Sequence, residues 1–243
     1  MNHNVDQHEI HKFESLAARW WDPDSEFRPL HEINPLRVGF ISSKVNPAGQ
    51  KCVDIGCGGG LLSEALAHHG ADMTAIDLAE ASLSVARLHQ LESGLDIRYE
   101  NLSAEALAER EPEQYDIVTC LEMLEHVPDP AAVVEACARL ARPGGHLFFS
   151  TINRNPKAWL FAIVGAEYVL KLLPRGTHEY ERFIRPSELD GWCRAHDLQR
   201  GESRGMGYNP LTRRYFLQNN VDVNYLVHYR KPGPDNTEGD GPA

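Results

Sequence analysis

The sequence predicts an α/β fold built on a mostly parallel sheet, and three observations carry that prediction. From Lys51 onward, short apolar runs alternate with helical patterns, the rhythm of consecutive βαβ units. A glycine-rich turn, Gly56-Cys57-Gly58-Gly59-Gly60, stands directly between the first apolar run and a helical segment. A length of 243 residues suits one elaborated domain with a substantial core, here taken as 1–231.

In chain order, Ile10, Phe13, Leu16, Ala17, Trp20 and Trp21 fall at helical spacings, predicting an amphipathic helix packed on the domain. Pro23, Pro29 and Pro35 are expected to break regular structure before a short helix over Leu36 to Val45, which completes an N-terminal helical cap over 1–48. Strands are predicted at Cys52 to Ile55, Met73 to Ile76, Ile97 to Tyr99, Ile117 to Cys120 and His146 to Ser150. Leu61 to His69 reads as a helix ending at Gly70, and Val134, Cys137, Ala138 and Ala141 mark another. Pro143-Gly144-Gly145 is expected to turn the chain into the following strand.

An insertion over 153–185 interrupts the alternation. Its apolar stretch from Ala158 to Leu173 carries only Glu167 and Lys171 as charges and falls short of the roughly 20 apolar residues of a membrane span. The tail, 232–243, is rich in proline, glycine and acidic residues and is expected to be disordered.

Composition narrows the function classes. A hydrophobic fraction of 42% and a charged fraction of 24% are those of a folded globular protein. The formal net charge of -11 repels a phosphate backbone, so nucleic acid is an unsuitable partner. Cys52, Cys57, Cys120, Cys137 and Cys193 are odd in number and form no Cys-x-x-Cys pair, which fits a reducing compartment. The polar, His-rich start lacks the apolar core of a secretory signal, so a cytoplasmic location is expected.

The strongest chemical signal is the strand-loop-helix Val53-Asp54-Ile55-Gly56-Cys57-Gly58-Gly59-Gly60-Leu61. Glycine here permits a sharp turn and the close approach of a ligand. A dinucleotide fingerprint starting at Gly56 requires glycine where Leu61 stands, which argues against a nicotinamide dehydrogenase. Asp77 closes the second strand, where a carboxylate accepts from ribose hydroxyls. Asp54 has two readings, a partner for a ligand ammonium or a buried acid organising the loop.

This ordered series resembles the class I S-adenosylmethionine-dependent methyltransferase family. The resemblance implies a Rossmann-like sheet with an antiparallel final strand, an S-adenosylmethionine (SAM) cofactor, and binding positions at Asp54, Gly56, Gly58 and Asp77. It also implies an adenine contact near Ser103 to Glu105. Narrower motifs are Arg19-Trp20-Trp21-Asp22, Asn34-Pro35-Leu36-Arg37, Leu121-Glu122-Met123-Leu124-Glu125-His126-Val127-Pro128, Tyr208-Asn209-Pro210 and Asp222-Val223-Asn224-Tyr225. These are similar to the ubiquinone biosynthesis O-methyltransferase family and add Arg37 and Leu121 to the implied cofactor positions, leucine standing where methionine is frequent.

The resemblance implies methylation of phenolic hydroxyls on a polyprenylated catechol and on demethylubiquinol. Phenols lose their proton only near pH 10, so a base or a metal must expose the oxygen. Glu122, Glu125 and His126 follow the fourth strand, at the edge where open α/β sheets bind ligands. Three readings stand: a Mg2+ site built from all three, His126 as general base with Glu122 beside it, or structural groups that orient loops. A polyprenyl acceptor also gives the 153–185 insertion, flanked by Arg154, Lys157, Arg175, Arg182 and Arg185, two readings. It is either a peripheral contact with lipid on the inner face of the membrane or a lid over the site. Membership of a ubiquinone-biosynthesis complex is a further implication. The competing functions are methylation of another small molecule and a noncatalytic cofactor-binding assembly role.

Overall fold

A computed structural model describes residues 4–155, 158 and 180–233. Most of the apolar insertion and the tail from 234 onward lie outside the described residues, so the expectations placed on them are not addressed by the fold.

The parallel core is β1 (Lys51–Ile55), β2 (Asp72–Asp77), β3 (Ile97–Asn101), β4 (Tyr115–Leu121) and β5 (Ala141–Ile152). Their apolar runs lack alternation because helices cover both faces. The remaining strands are β6 (Gln199–Asn209), β7 (Arg214–Gln218) and β8 (Asn224–Arg230). Strand order is β3-β2-β1-β4-β5-β8-β6-β7. β8 runs antiparallel between β5 and β6, so the predicted antiparallel final strand is present, and β7 is a second reversed strand at the edge.

The helices are α1 (Gln7–Leu16), α2 (Arg28–Ser42), α3 (Leu61–His68), α4 (Glu80–Ser93), α5 (Ala104–Arg110), α6 (Pro130–Leu140) and α7 (Pro186–Ala195). Val53 and Ile55 of β1 pack with Leu107, Val134 and Leu189, on the side of α5 to α7. Cys52 faces the other way, toward Ile41, Leu66 and Leu83 of α2 to α4. Capping follows local chemistry: Asp129 accepts from the Ala131 and Ala132 amides at 3.1 and 3.2 Å, with Pro130 filling the first helical position. All five cysteines are free and buried, so the thiols serve as core groups.

Two expectations are corrected. Pro29 and Pro35 do not break the front segment, because both lie within the continuous helix α2. Pro29 occupies the first turn, where an amide has no helical acceptor. Pro35 gives up one helical bond, but Ile33, Asn34, Arg37 and Val38 around it are buried and hold the helix on the domain. The turn expected at Pro143-Gly144-Gly145 is a bulge inside β5. Tyr115 pairs with Ala141 while Ile117 pairs with His146, and Gly144 absorbs the excess chain at φ +81°. At the front, α1 ends at Leu16, a 3-10 turn covers Ala17–Arg19, and Trp20 is buried with Phe27 and Leu61.

Candidate active site

The carboxyl ends of β1, β2 and β4, the cap and the β6–β7 hairpin enclose a cavity of about 1010 Å³. Arg37, Asp54, Gly56, Gly58, Asp77, Leu121, Glu122, Glu125 and His126 all border it, so residues scattered over the sequence meet at one sheet edge. The Leu102 to Glu105 segment lines it as well.

The glycine loop is tightly drawn. The amides of Gly56 and Cys57 both donate to the Ile76 carbonyl, at 2.9 and 3.0 Å, tying the loop to β2. Gly58 holds φ +54°, and a Cβ there would overlap the ring of Trp20; one at Gly59 would overlap the same indole. A Cβ on Gly56 would strike Met123. The glycines therefore admit the protein's own side chains against the loop, in addition to the sharp turn and ligand approach expected of them. The cap is bolted down by Trp21, whose indole N–H donates to the Gly59 carbonyl at 2.9 Å, and by Asn34, whose amide donates to the Leu61 carbonyl at 2.9 Å.

Asp77 accepts from the Gly58 amide and the Ala79 amide, each at 2.8 Å. Burial pushes its carboxyl up against those bonds, which pull it down. Asp54 is 3% exposed and accepts from Ser63 Oγ at 2.8 Å and Thr119 Oγ1 at 2.7 Å. Burial raises it to about 6, so the loop-organising reading describes its present partners, while its place on the cavity wall keeps the ligand reading open.

Arg37 is 6% exposed, and its Nε and Nη2 have no hydrogen-bond acceptor among the described residues. Glu122 Oε1 lies 3.3 Å from Nη2, an ion pair without hydrogen-bond alignment. Glu122 itself holds φ +53°, an unusual conformation for a residue with a side chain, and accepts from Ser150 Oγ at 2.8 Å. Glu125 accepts from Thr151 Oγ1 at 2.9 Å. Burial, with the Glu122 charge adding to it, raises Glu125 to about 7.

His126 ends a 3-10 turn, Leu124–His126, and its Nδ1 lies 2.7 Å from Glu9 Oε2 on α1. The imidazole holds the Glu9 carboxyl below the usual range. Phe13 packs edge-on against the ring at 5.2 Å. The candidate metal ligands thus have separate partners, and among the described residues no group of three or more His, Cys, Asp or Glu side chains is arranged to hold a metal.

Comparison with known proteins decides the family. A profile described as "Methyltransferase domain" matches residues 28–200. The ubiquinone biosynthesis O-methyltransferase of Pseudomonas entomophila (strain L48) is 63% identical over 92% of this chain and 97% of its own. The protein of that name from Stutzerimonas stutzeri (strain A1501) is 65% identical over the same shares. This chain belongs to the ubiquinone biosynthesis O-methyltransferase family.

The fold agrees. Magnesium protoporphyrin IX methyltransferase from Synechocystis PCC 6803, solved with bound S-adenosylhomocysteine (SAH), superposes with a TM-score of 0.66 over 91% of this chain and 94% of that one, at 17% identity. Membership of the O-methyltransferase family removes the dehydrogenase reading. It leaves two features of the site that sequence reasoning did not find. Glu9 reaches His126 across 117 residues of chain, and Met206, Tyr208, Tyr215 and Phe216 of the β6–β7 hairpin wall the cavity. Only the Tyr208-Asn209-Pro210 motif hinted at the hairpin, and nothing local marked Glu9.

Proposed function

We propose that this O-methyltransferase family member transfers the methyl group of SAM to phenolic hydroxyls of polyprenylated catechol and demethylubiquinol intermediates of ubiquinone biosynthesis. The name and high identity of its relatives support the acceptor class. The observation that carries the cofactor reading is Arg37, a buried guanidinium with unmet donors in the same cavity wall as Gly56, Gly58 and Asp77. A desolvated cation of this kind is stabilised by a ligand carboxylate, which an amino-acid-bearing nucleoside carries.

When bound, SAM supplies an electrophilic methyl group on its sulfonium. Arg37 is assigned the methionine carboxylate, Asp77 the ribose hydroxyls, Gly56, Gly58 and Leu121 the backbone and apolar contacts, and Asp54 the ammonium side. Apolar walls from Leu121, Met206, Tyr208 and Phe216 exclude water around the acceptor ring. His126 is the proton acceptor in this reading. The Glu9 carboxylate accepts from Nδ1–H, so the neutral tautomer presents the Nε2 lone pair. Holding both reactants in line then supplies much of the acceleration.

A second reading of the same residues places Mg2+ among Glu122, Glu125 and His126. Its support is that all three border the cavity and that carboxylate oxygens suit a hard cation. Peripheral contact with lipid through 153–185, on the inner face of the membrane, and membership of a biosynthetic complex complete the proposal. No described helix is long and apolar enough to cross a membrane.

The test is methyl transfer from labelled SAM to a short-chain prenyl catechol, with a carboxylate acceptor in parallel, each with Mg2+ and with chelator. Labelled catechol ether, formed in preference to methyl ester, is expected. Protein that binds SAH but labels no phenol would overturn the acceptor assignment, and full activity in chelator would remove the metal.

A further inference from the structure

The indole of Trp20 has an unmet hydrogen-bond donor beside the glycine loop. Trp20 is 6% exposed, packs on Phe27 with ring centroids 4.2 Å apart, and lies against Gly58 and Gly59 so closely that neither tolerates a Cβ. Its carbonyl is fixed by His31 Nε2 at 2.8 Å, and the neighbouring Trp21 is clamped by its bond to Gly59 and by stacking on His89 at 3.4 Å. The ring is therefore held in place by surroundings on several sides. Yet its Nε1–H is buried with no acceptor among the described residues, and the side chain lines the same cavity as Arg37 and Asp77.

A buried donor without an acceptor costs on the order of 1–3 kcal/mol. A packed core offers Phe or Leu for such a place at no polar cost, so an indole in the cavity wall has a use only if an acceptor arrives there. Resting on the reading of this cavity as the SAM site, we propose that Trp20 is a cofactor-binding residue whose indole N–H donates to an oxygen of the bound sulfonium nucleoside. Trp20 and Arg37 flank the loop from the cap, so the cap contributes polar contacts to the ligand besides covering it. The acceptor is a methionine carboxylate oxygen or a ribose hydroxyl, both within the chemistry of one ligand.

Calorimetry with SAH on the full chain and on Trp20→Phe tests this. Phenylalanine keeps an aromatic ring against Gly59 and removes the donor, together with the outer ring of the indole that lies over Gly58. SAH affinity about tenfold weaker in a variant that still melts cooperatively is expected. Repeating the titration with methylthioadenosine, which lacks the carboxylate, separates the two acceptors. A loss seen with both ligands assigns the ribose, and a loss confined to SAH assigns the carboxylate. Equal SAH affinity in wild type and variant would overturn the proposal. Should Trp20→Phe fold poorly, indole N–H resonances of the wild type give an independent reading. Trp21→Phe, Trp159→Phe and Trp192→Phe identify the Trp20 signal, which is expected to move downfield on saturation with SAH. An unmoved signal in a chain that binds SAH would equally overturn it. A wild type without affinity for SAH would remove the cofactor reading, and this inference with it.

Discussion

The Asp77 carboxylate accepts from the Gly58 amide at 2.8 Å, so the acid closing β2 braces the loop that follows β1. Its other oxygen is held by the Ala79 amide. Asp77→Ala removes both loop anchors and the proposed ribose acceptor. SAH affinity is expected to fall by at least about a hundredfold, because two charge-assisted bonds are lost together. Calorimetry measures it, and retention of affinity within fivefold would refute the assignment.

Gly59→Ala tests whether Trp20 dictates the glycines. The new methyl would overlap the indole, so a cost of about 1–3 kcal/mol from overpacking is expected in thermal or denaturant unfolding. In a Trp20→Ala background the same change is expected to cost less than half as much. Equal costs in both backgrounds would show that Trp20 is not the obstacle.

Asp54 predicts a pH dependence of known sign. Its folded value, about 6, lies above the ordinary 3.8, so the folded state binds the proton more tightly. The associated stability is whole below about pH 3.8 and is lost as pH rises through 6. Asp54→Asn, which does not titrate, is therefore expected to gain on the wild type by on the order of 2 kcal/mol between pH 4 and pH 7.5. Melting curves of both proteins across that range supply the comparison. A constant difference would mean that Asp54 is not perturbed.

Glu9 is expected to matter for rate and not for cofactor affinity. Glu9→Gln keeps the shape and removes the charge that fixes His126. A fall in kcat of about 10- to 100-fold, with SAH affinity within twofold, is the expected pattern for a residue acting through the base. Unaltered kcat in this variant would detach α1 from the chemistry.

How far the sequence foretold the molecule depends on the range of the interactions involved. β1 to β5 were legible because strands covered on both faces are plain apolar runs, and the loop from Gly56 was legible because its chemistry is contiguous. β6, with glycines at 201, 205 and 207 and a partly exposed surface, carries no such signal, and β8 is defined by the neighbours it slots between. α2 is not legible in the sequence because Pro35 is tolerated through buried contacts that local propensity does not register. Arg37, Asp54, Gly56, Gly58, Asp77 and Leu121 stand in motifs legible in the sequence and line one cavity. Glu9 and the indole of Trp20 were not assigned roles, since their partners become neighbours only once the cap has docked.

The position of β8 has a consequence for the order of folding. β8 follows every other described strand in the chain yet lies between β5 and β6, so the sheet is continuous only once residues 224–230 are seated. Tyr225 and Tyr229, whose rings complete the interior, arrive in that same last stretch. Closure of the sheet is thus a late, long-range event, and a chain cut before Asn224 is expected to keep its parallel half without a continuous eight-stranded sheet.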